Sequence, residues 1–221
     1  MRTLLLGLAL CVAACGPTRV EPLRLDSSLP IAGSPISRCI NMGSALEAPN
    51  EGDWGYTVRQ EDLQRVKDAG FDTIRLPVKW SAHTTQDAPY EIDPDFLARV
   101  DEVIAWANEI GLKLVLNVHH YDELNDDPDT HTPRLEAIWD RLASHYAGAP
   151  DSIIFETINE PHTNMTLELT DAFNRRVLER IRADHPERWV ILGTAFWGNL
   201  SALEASRPDY DPRVMLTYHE Y

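Results

Sequence analysis

Glu160 stands in the tripeptide Asn159-Glu160-Pro161, a few residues after the apolar run Ser152-Ile153-Ile154-Phe155. A carboxyl at the rim of a dry interior is desolvated. Desolvation raises its pKa toward neutrality, as a general acid requires. Its amide neighbour Asn159 can hold a substrate hydroxyl. Similar polar clusters follow other short apolar runs: Asn41 and Glu47; Arg75, Trp80 and His83; His119-His120-Tyr121; Trp197; and His219-Glu220-Tyr221. His119 and His120 are adjacent, so on an extended strand they point to opposite sides. That spacing suits hydrogen bonding better than chelation of one metal. Arg75 suits either a buried ion pair or a site role. Trp80 and Trp197 suit either a core or a stacking platform for a flat apolar substrate face. Glu156 lies deeper than Glu160 and is expected to pair with a buried cation.

These residues need elements that bring them together. Six short apolar runs read as strands: Cys39–Met42, Thr73–Leu76, Leu114–Asn117, Ile153–Thr157, Val190–Gly193 and Val214–Tyr218. Most begin roughly 35–40 residues apart, enough for a helix and two loops in a parallel βα unit. Four amphipathic stretches fill the gaps. Thr57 and Gln60 have capping-box spacing before the stripe Leu63, Val66, Ala69, with Gly70 after it. Asp93-Pro94 reads as an N-cap with proline at the first helical position, and Gly111 as the stop. Leu135, Ile138, Trp139, Leu142 and Tyr146 form a third stripe, and Leu169, Phe173, Val177 and Ile181 a fourth.

An open doubly wound sheet and a (β/α)8 TIM barrel both fit this alternation. The first strand-to-helix loop, residues 43–54, is long, acidic and aromatic, not a glycine-rich phosphate cradle. It suits the catalytic face of a barrel, where strand ends converge.

The chain has 221 residues, 43% apolar and 25% charged, with a net charge of −15. That charge argues against nucleic acid as a partner and fits a neutral substrate. Three cysteines, Cys11, Cys15 and Cys39, are too few for a disulfide scaffold or a tetrathiolate zinc site. Residues 1–15 read as a lipoprotein signal peptide. Arg2 precedes an apolar stretch too short to span a bilayer, which ends in Val12-Ala13-Ala14-Cys15. Small residues before a cysteine resemble a bacterial lipobox, which implies acylation of Cys15 and a lipid-anchored protein of the cell envelope. The lipid would be the only membrane contact. Cys39 is then left without a partner and is expected to be a small core residue. Residues 16–37, rich in proline and serine, read as a linker, and residues 38–221 as the catalytic domain.

The blocks Ile40 to Gly55, Ile74-Arg75-Leu76-Pro77, Val118 to Tyr121, Phe155 to His162, Gly193 to Gly198 and Thr217 to Tyr221 resemble glycoside hydrolase family 5, the family of cellulases and mannanases. The resemblance implies a retaining endo-β-1,4-glycanase that acts on β-1,4-linked polysaccharide or oligosaccharide without a metal or other cofactor. It implies Glu160 as acid/base and Asn159 as the group that binds the sugar 2-hydroxyl. Arg75 would support the nucleophile. His119, His120, His219 and Tyr221 would line the subsites around the cleaved bond, with Glu47 and Trp80 on the glycone side. Ser44 departs from the asparagine of close relatives, and its shorter side chain loses reach. The family places its nucleophile, a second glutamate, on a seventh strand. The span from Cys39 to Tyr221 is shorter than the roughly 250 residues of a whole barrel. The sequence is therefore expected to be a TIM barrel truncated after strand 6, without that nucleophile and inactive alone. A non-catalytic carbohydrate-binding lipoprotein is the alternative, and a metal-dependent barrel hydrolase ranks third.

Overall fold

The computed structural model describes residues 34–206 and 211–220. The proposed signal peptide, Cys15, most of the proposed linker and Tyr221 lie outside them. Six parallel strands run in the order β1 (Cys39–Asn41), β2 (Thr73–Leu76), β3 (Lys113–Asn117), β4 (Ile153–Glu156), β5 (Val190–Leu192) and β6 (Val214–Leu216). Every neighbour in the sheet is also the next strand in sequence, as in a barrel wall built from successive βα units. Helices fill the connections between them: α1 (Gln60–Asp68), α2 (Pro94–Ile110), α3 (Asp122–Asp126) with α4 (Pro128–His145), α5 (Leu167–Asp184), and the short α6 (Ala195–Gly198) and α7 (Leu200–Ala205).

Local chemistry explains the helix limits. The Asp93 carboxylate accepts from the amides of Asp95 and Phe96, Pro94 follows, and Gly111 closes α2 in the left-handed conformation at φ 75°. Thr166 caps α5 through the Leu169 amide. The capping box expected at Thr57 does not form. α1 starts at Gln60 behind an extended Arg59 that makes no side-chain cap, so that helix draws on packing of Leu63 and two acidic residues in its first turn.

Side-chain alternation along the strands divides the apolar residues into two sets. Ile74, Leu76, Leu114, Leu116, Ile153, Phe155, Val190 and Leu192 face the helices and join one large core. Val115, Ile154 and Ile191 point the other way and form a small separate cluster with Ile36, Trp189 and Met215. The same inward parity carries Arg75, Asn117 and Glu156, which places polar groups above this apolar floor. Cys39, expected in the core, is exposed. It lies on β1, which has a hydrogen-bonded neighbour on one side alone among the described residues.

Candidate active site

The strand ends converge on a cavity of about 430 Å³ lined by Asn41, Arg75, His119, His120, Asn159, Glu160, Thr217 and His219. Parallel hydrogen bonds continue past the regular strands and fix the backbone of this rim. The His119 amide donates to Val78 O at 2.8 Å, Asn159 N to Val118 O at 2.9 Å, and His219 N to Gly198 O at 2.7 Å.

Beneath the cavity, the Arg75 guanidinium donates to both Glu156 oxygens, at 2.7 and 2.6 Å. It also donates to Asn41 Oδ1 at 2.9 Å and to Asn159 Oδ1 at 2.8 Å. Burial works against the Arg75 charge, but the Glu156 carboxylate outweighs it and raises the Arg75 pKa. The Asn159 carbonyl is thereby turned to Arg75, and its amide hydrogens become the donors it can offer a ligand. Glu156 is the deep partner of a buried cation, as its position after Phe155 suggests.

Glu160 adopts φ 46°, a left-handed conformation that costs a non-glycine residue roughly 1–2 kcal/mol. Its surroundings hold it there. The His162 ring donates through Nδ1 to Glu160 O at 2.6 Å, and Asn125 Oδ1 accepts from the His162 amide at 3.0 Å. The Glu160 carboxyl meets His219 Nδ1 at 2.5 Å. The turn also needs room from β5. A Cβ at Gly193 would fall 2.1 Å from Ile158 O, so glycine permits the close approach of the two strand ends.

The two adjacent histidines do not diverge as strand alternation would require. Both lie beyond the end of β3, and His120 adopts φ 48°. Lys79 Nζ holds the His120 carbonyl at 2.6 Å. The two rings meet edge to face, 4.4 Å apart, and both line the cavity. Burial, then the neighbouring basic groups Arg75, His120, His219 and Lys79, push the His119 pKa down to about 2. His119 is a neutral imidazole at any working pH.

Two expected contacts are placed differently. Trp80 is completely buried, its indole N–H donates to Asn117 O at 3.0 Å, and its ring meets the edge of Phe96. It presents no face for stacking. Glu47 is buried, with its oxygens accepting the Ser44 and Ala45 amides at 2.5 and 2.9 Å. It orders the β1–α1 loop, in which Ser44 adopts φ 68°. Exposed rings sit on the rim instead. Trp197 is 54% exposed and stacks on His162 at 4.8 Å, while Trp54 is 50% exposed and meets His120 edge-on at 5.8 Å. Asn41, named from its place after the first strand, lines the cavity, and so does Thr217. Inward parity two residues before His219 is the signal that could have singled out Thr217.

Residues 36–221 match the family described as Cellulase (glycosyl hydrolase family 5). The chain belongs to glycosyl hydrolase family 5. It is 36% identical over 181 residues to Endoglucanase H of Acetivibrio thermocellus, covering 82% of this chain and 20% of that protein. The crystal structure of endoglucanase Cel5A from the hyperthermophilic Thermotoga maritima superposes with a TM-score of 0.81 at 44% identity, covering 84% of this chain and 60% of that one. A further structure of that enzyme, in complex with a mannotriose substrate, gives a TM-score of 0.82 at 43% identity and the same 84% cover of this chain, against 61% of its own. The chain thus spans a fifth of the first relative and about three fifths of the solved ones. The six parallel strands with their helices match the TIM-barrel architecture of the family.

Proposed function

We propose that this chain carries the acid/base half of a retaining endo-β-1,4-glycanase acting on glucan or mannan chains. The observation that supports it is the cavity itself. One carboxyl, Glu160, stands at its edge among three imidazoles, an arginine and two amides. In this reading Glu160 protonates the glycosidic oxygen as the bond breaks. The 2.5 Å contact with His219 orients the carboxyl, and Asn159 donates to a sugar hydroxyl. The hydrogen-bonding amides, imidazoles and hydroxyl of the lining suit a sugar. Trp197 and Trp54 on the rim offer ring faces to pyranoses on either side of the cleaved bond.

Retention needs a second carboxylate about 5–5.5 Å from the first. Among the described residues no other carboxylate lines this cavity, and Glu156 is committed to Arg75. We place the nucleophile on a strand that follows β6. The 221-residue chain is expected to bind cellobiose and mannotriose but to hydrolyse carboxymethylcellulose no faster than buffer. Joined after β6 to the remaining part of the Thermotoga maritima enzyme, it should gain turnover with retention, visible by NMR as β-anomeric product. A chimaera that folds and binds oligosaccharide without cleaving it would favour the carbohydrate-binding alternative. We also place the protein at the bacterial cell envelope, held by a lipid on Cys15.

A further inference from the structure

Asn117 is fully buried at the end of β3, and the resemblance gives it no role. Its amide sits between two groups of known polarity. The Val78 backbone N–H, a donor, points at Asn117 Oδ1 at 3.3 Å. The Glu156 carboxylate, an acceptor, lies 3.4 Å from Nδ2. These two neighbours fix which end of the amide is oxygen and which is nitrogen. Nδ2 also lies 3.1 Å from Nδ1 of His119. An NH2 group has no lone pair to offer, so it must donate, and His119 Nδ1 must accept. The indole of Trp80, donating to Asn117 O, anchors the backbone of the same residue.

We infer that Asn117 is a positioning residue that fixes His119 as the Nε2–H tautomer, so that His119 offers the cavity a hydrogen-bond donor. The same amide ties His119 to the Arg75–Glu156 pair, so ring orientation and ion pair form one unit. Burial and the basic groups Arg75, His120, His219 and Lys79 disfavour a second proton on the ring, and they outweigh the carboxylates Glu156, one amide away, and Glu160, in the same cavity. The tautomer therefore holds across the pH range of the protein. A donor at this point suits a sugar hydroxyl or ring oxygen, and this last step rests on the glycanase reading.

Long-range ¹H–¹⁵N NMR of the whole chain with labelled histidine distinguishes the two tautomers directly. The His119 signal is assigned by its loss in His119→Gln. Wild type should show an unprotonated, accepting Nδ1 and a protonated Nε2, unchanged from pH 5 to pH 8. Asn117→Asp replaces the donor with an acceptor, so Nδ1 should become protonated. That variant should bind cellobiose about tenfold more weakly, the change expected for one misdirected hydrogen bond. A wild-type spectrum with a protonated Nδ1 overturns the inference without any variant. So does a folded Asn117→Asp protein whose His119 keeps the wild-type signature. Wild type with the expected tautomer but no cellobiose binding would count against the glycanase reading and leave the tautomer assignment standing.

Discussion

Arg75 grips Glu156 through two parallel hydrogen bonds of 2.7 and 2.6 Å, across three adjacent strands and under the rim of the cavity. The Glu156 side chain is 2% exposed. Removing its partner would leave a buried charge uncompensated, which costs about 3–5 kcal/mol. Arg75→Met should lower stability by that order in urea titrations. The double variant Arg75→Met with Glu156→Leu should recover part of the loss, because both charges are then gone. A single-variant cost below about 1 kcal/mol would mean that the pair does not hold the strands together.

His185 makes the fold sensitive to acid. It is buried with both ring nitrogens committed. Nδ1 accepts from Arg188 Nε at 2.9 Å, and Nε2–H donates to Ala143 O at 2.8 Å. Arg188 in turn binds the carbonyls of Ala149, Pro150 and Ile153, the connection that leads into β4. Burial lowers the His185 pKa below its ordinary 6.5, the Ala143 hydrogen bond opposes this, and nearby Arg188 adds to it. A folded pKa below the unfolded one means that the unfolded chain binds the proton first. This contribution is complete above about pH 6.5 and fades as pH falls toward the folded pKa, by at most about 1.4 kcal/mol per pH unit. His185→Gln keeps a donor and an acceptor without titrating. Its urea midpoint should fall less than that of wild type between pH 7.5 and 5.5. Equal falls would clear His185 of this role, since His83 and His119, whose pKa values are also lowered, remain in both proteins.

The fold was legible where pattern and packing agree. Buried parallel strands such as Leu114–Asn117 read as continuous apolar runs because helices cover one face and the barrel interior the other. The Asp93-Pro94 start and the Gly111 stop are local chemistry and were readable as such. Trp80 was not, because a tryptophan after a strand reads alike whether its ring faces solvent or core. The Asn117 carbonyl that takes its indole N–H belongs to another strand. Similarly, His119 and His120 share a cavity because Lys79 stabilises a left-handed turn at His120, a contact between β-strand ends that sequence spacing does not encode.

Cys15, the proposed anchor, lies before the described residues. Several acyl chains on one cysteine give stable membrane attachment, where a single chain is marginal. Cys15→Ser should move the protein from the membrane fraction to the soluble one. Wild type found soluble in the periplasm or medium would contradict the lipobox reading.

In the proposed reaction Glu160 delivers the proton to the leaving oxygen. Glu160→Gln keeps the shape and removes the acid. In the catalytically complete chimaera, kcat/KM should be compared on unactivated cello-oligosaccharides and on aryl glycosides with good leaving groups, which need little protonation. A loss of about 10²–10⁴-fold is expected on the oligosaccharides, and a much smaller one in the glycosylation step of the activated substrates. Equal losses on both would show that Glu160 is not the acid.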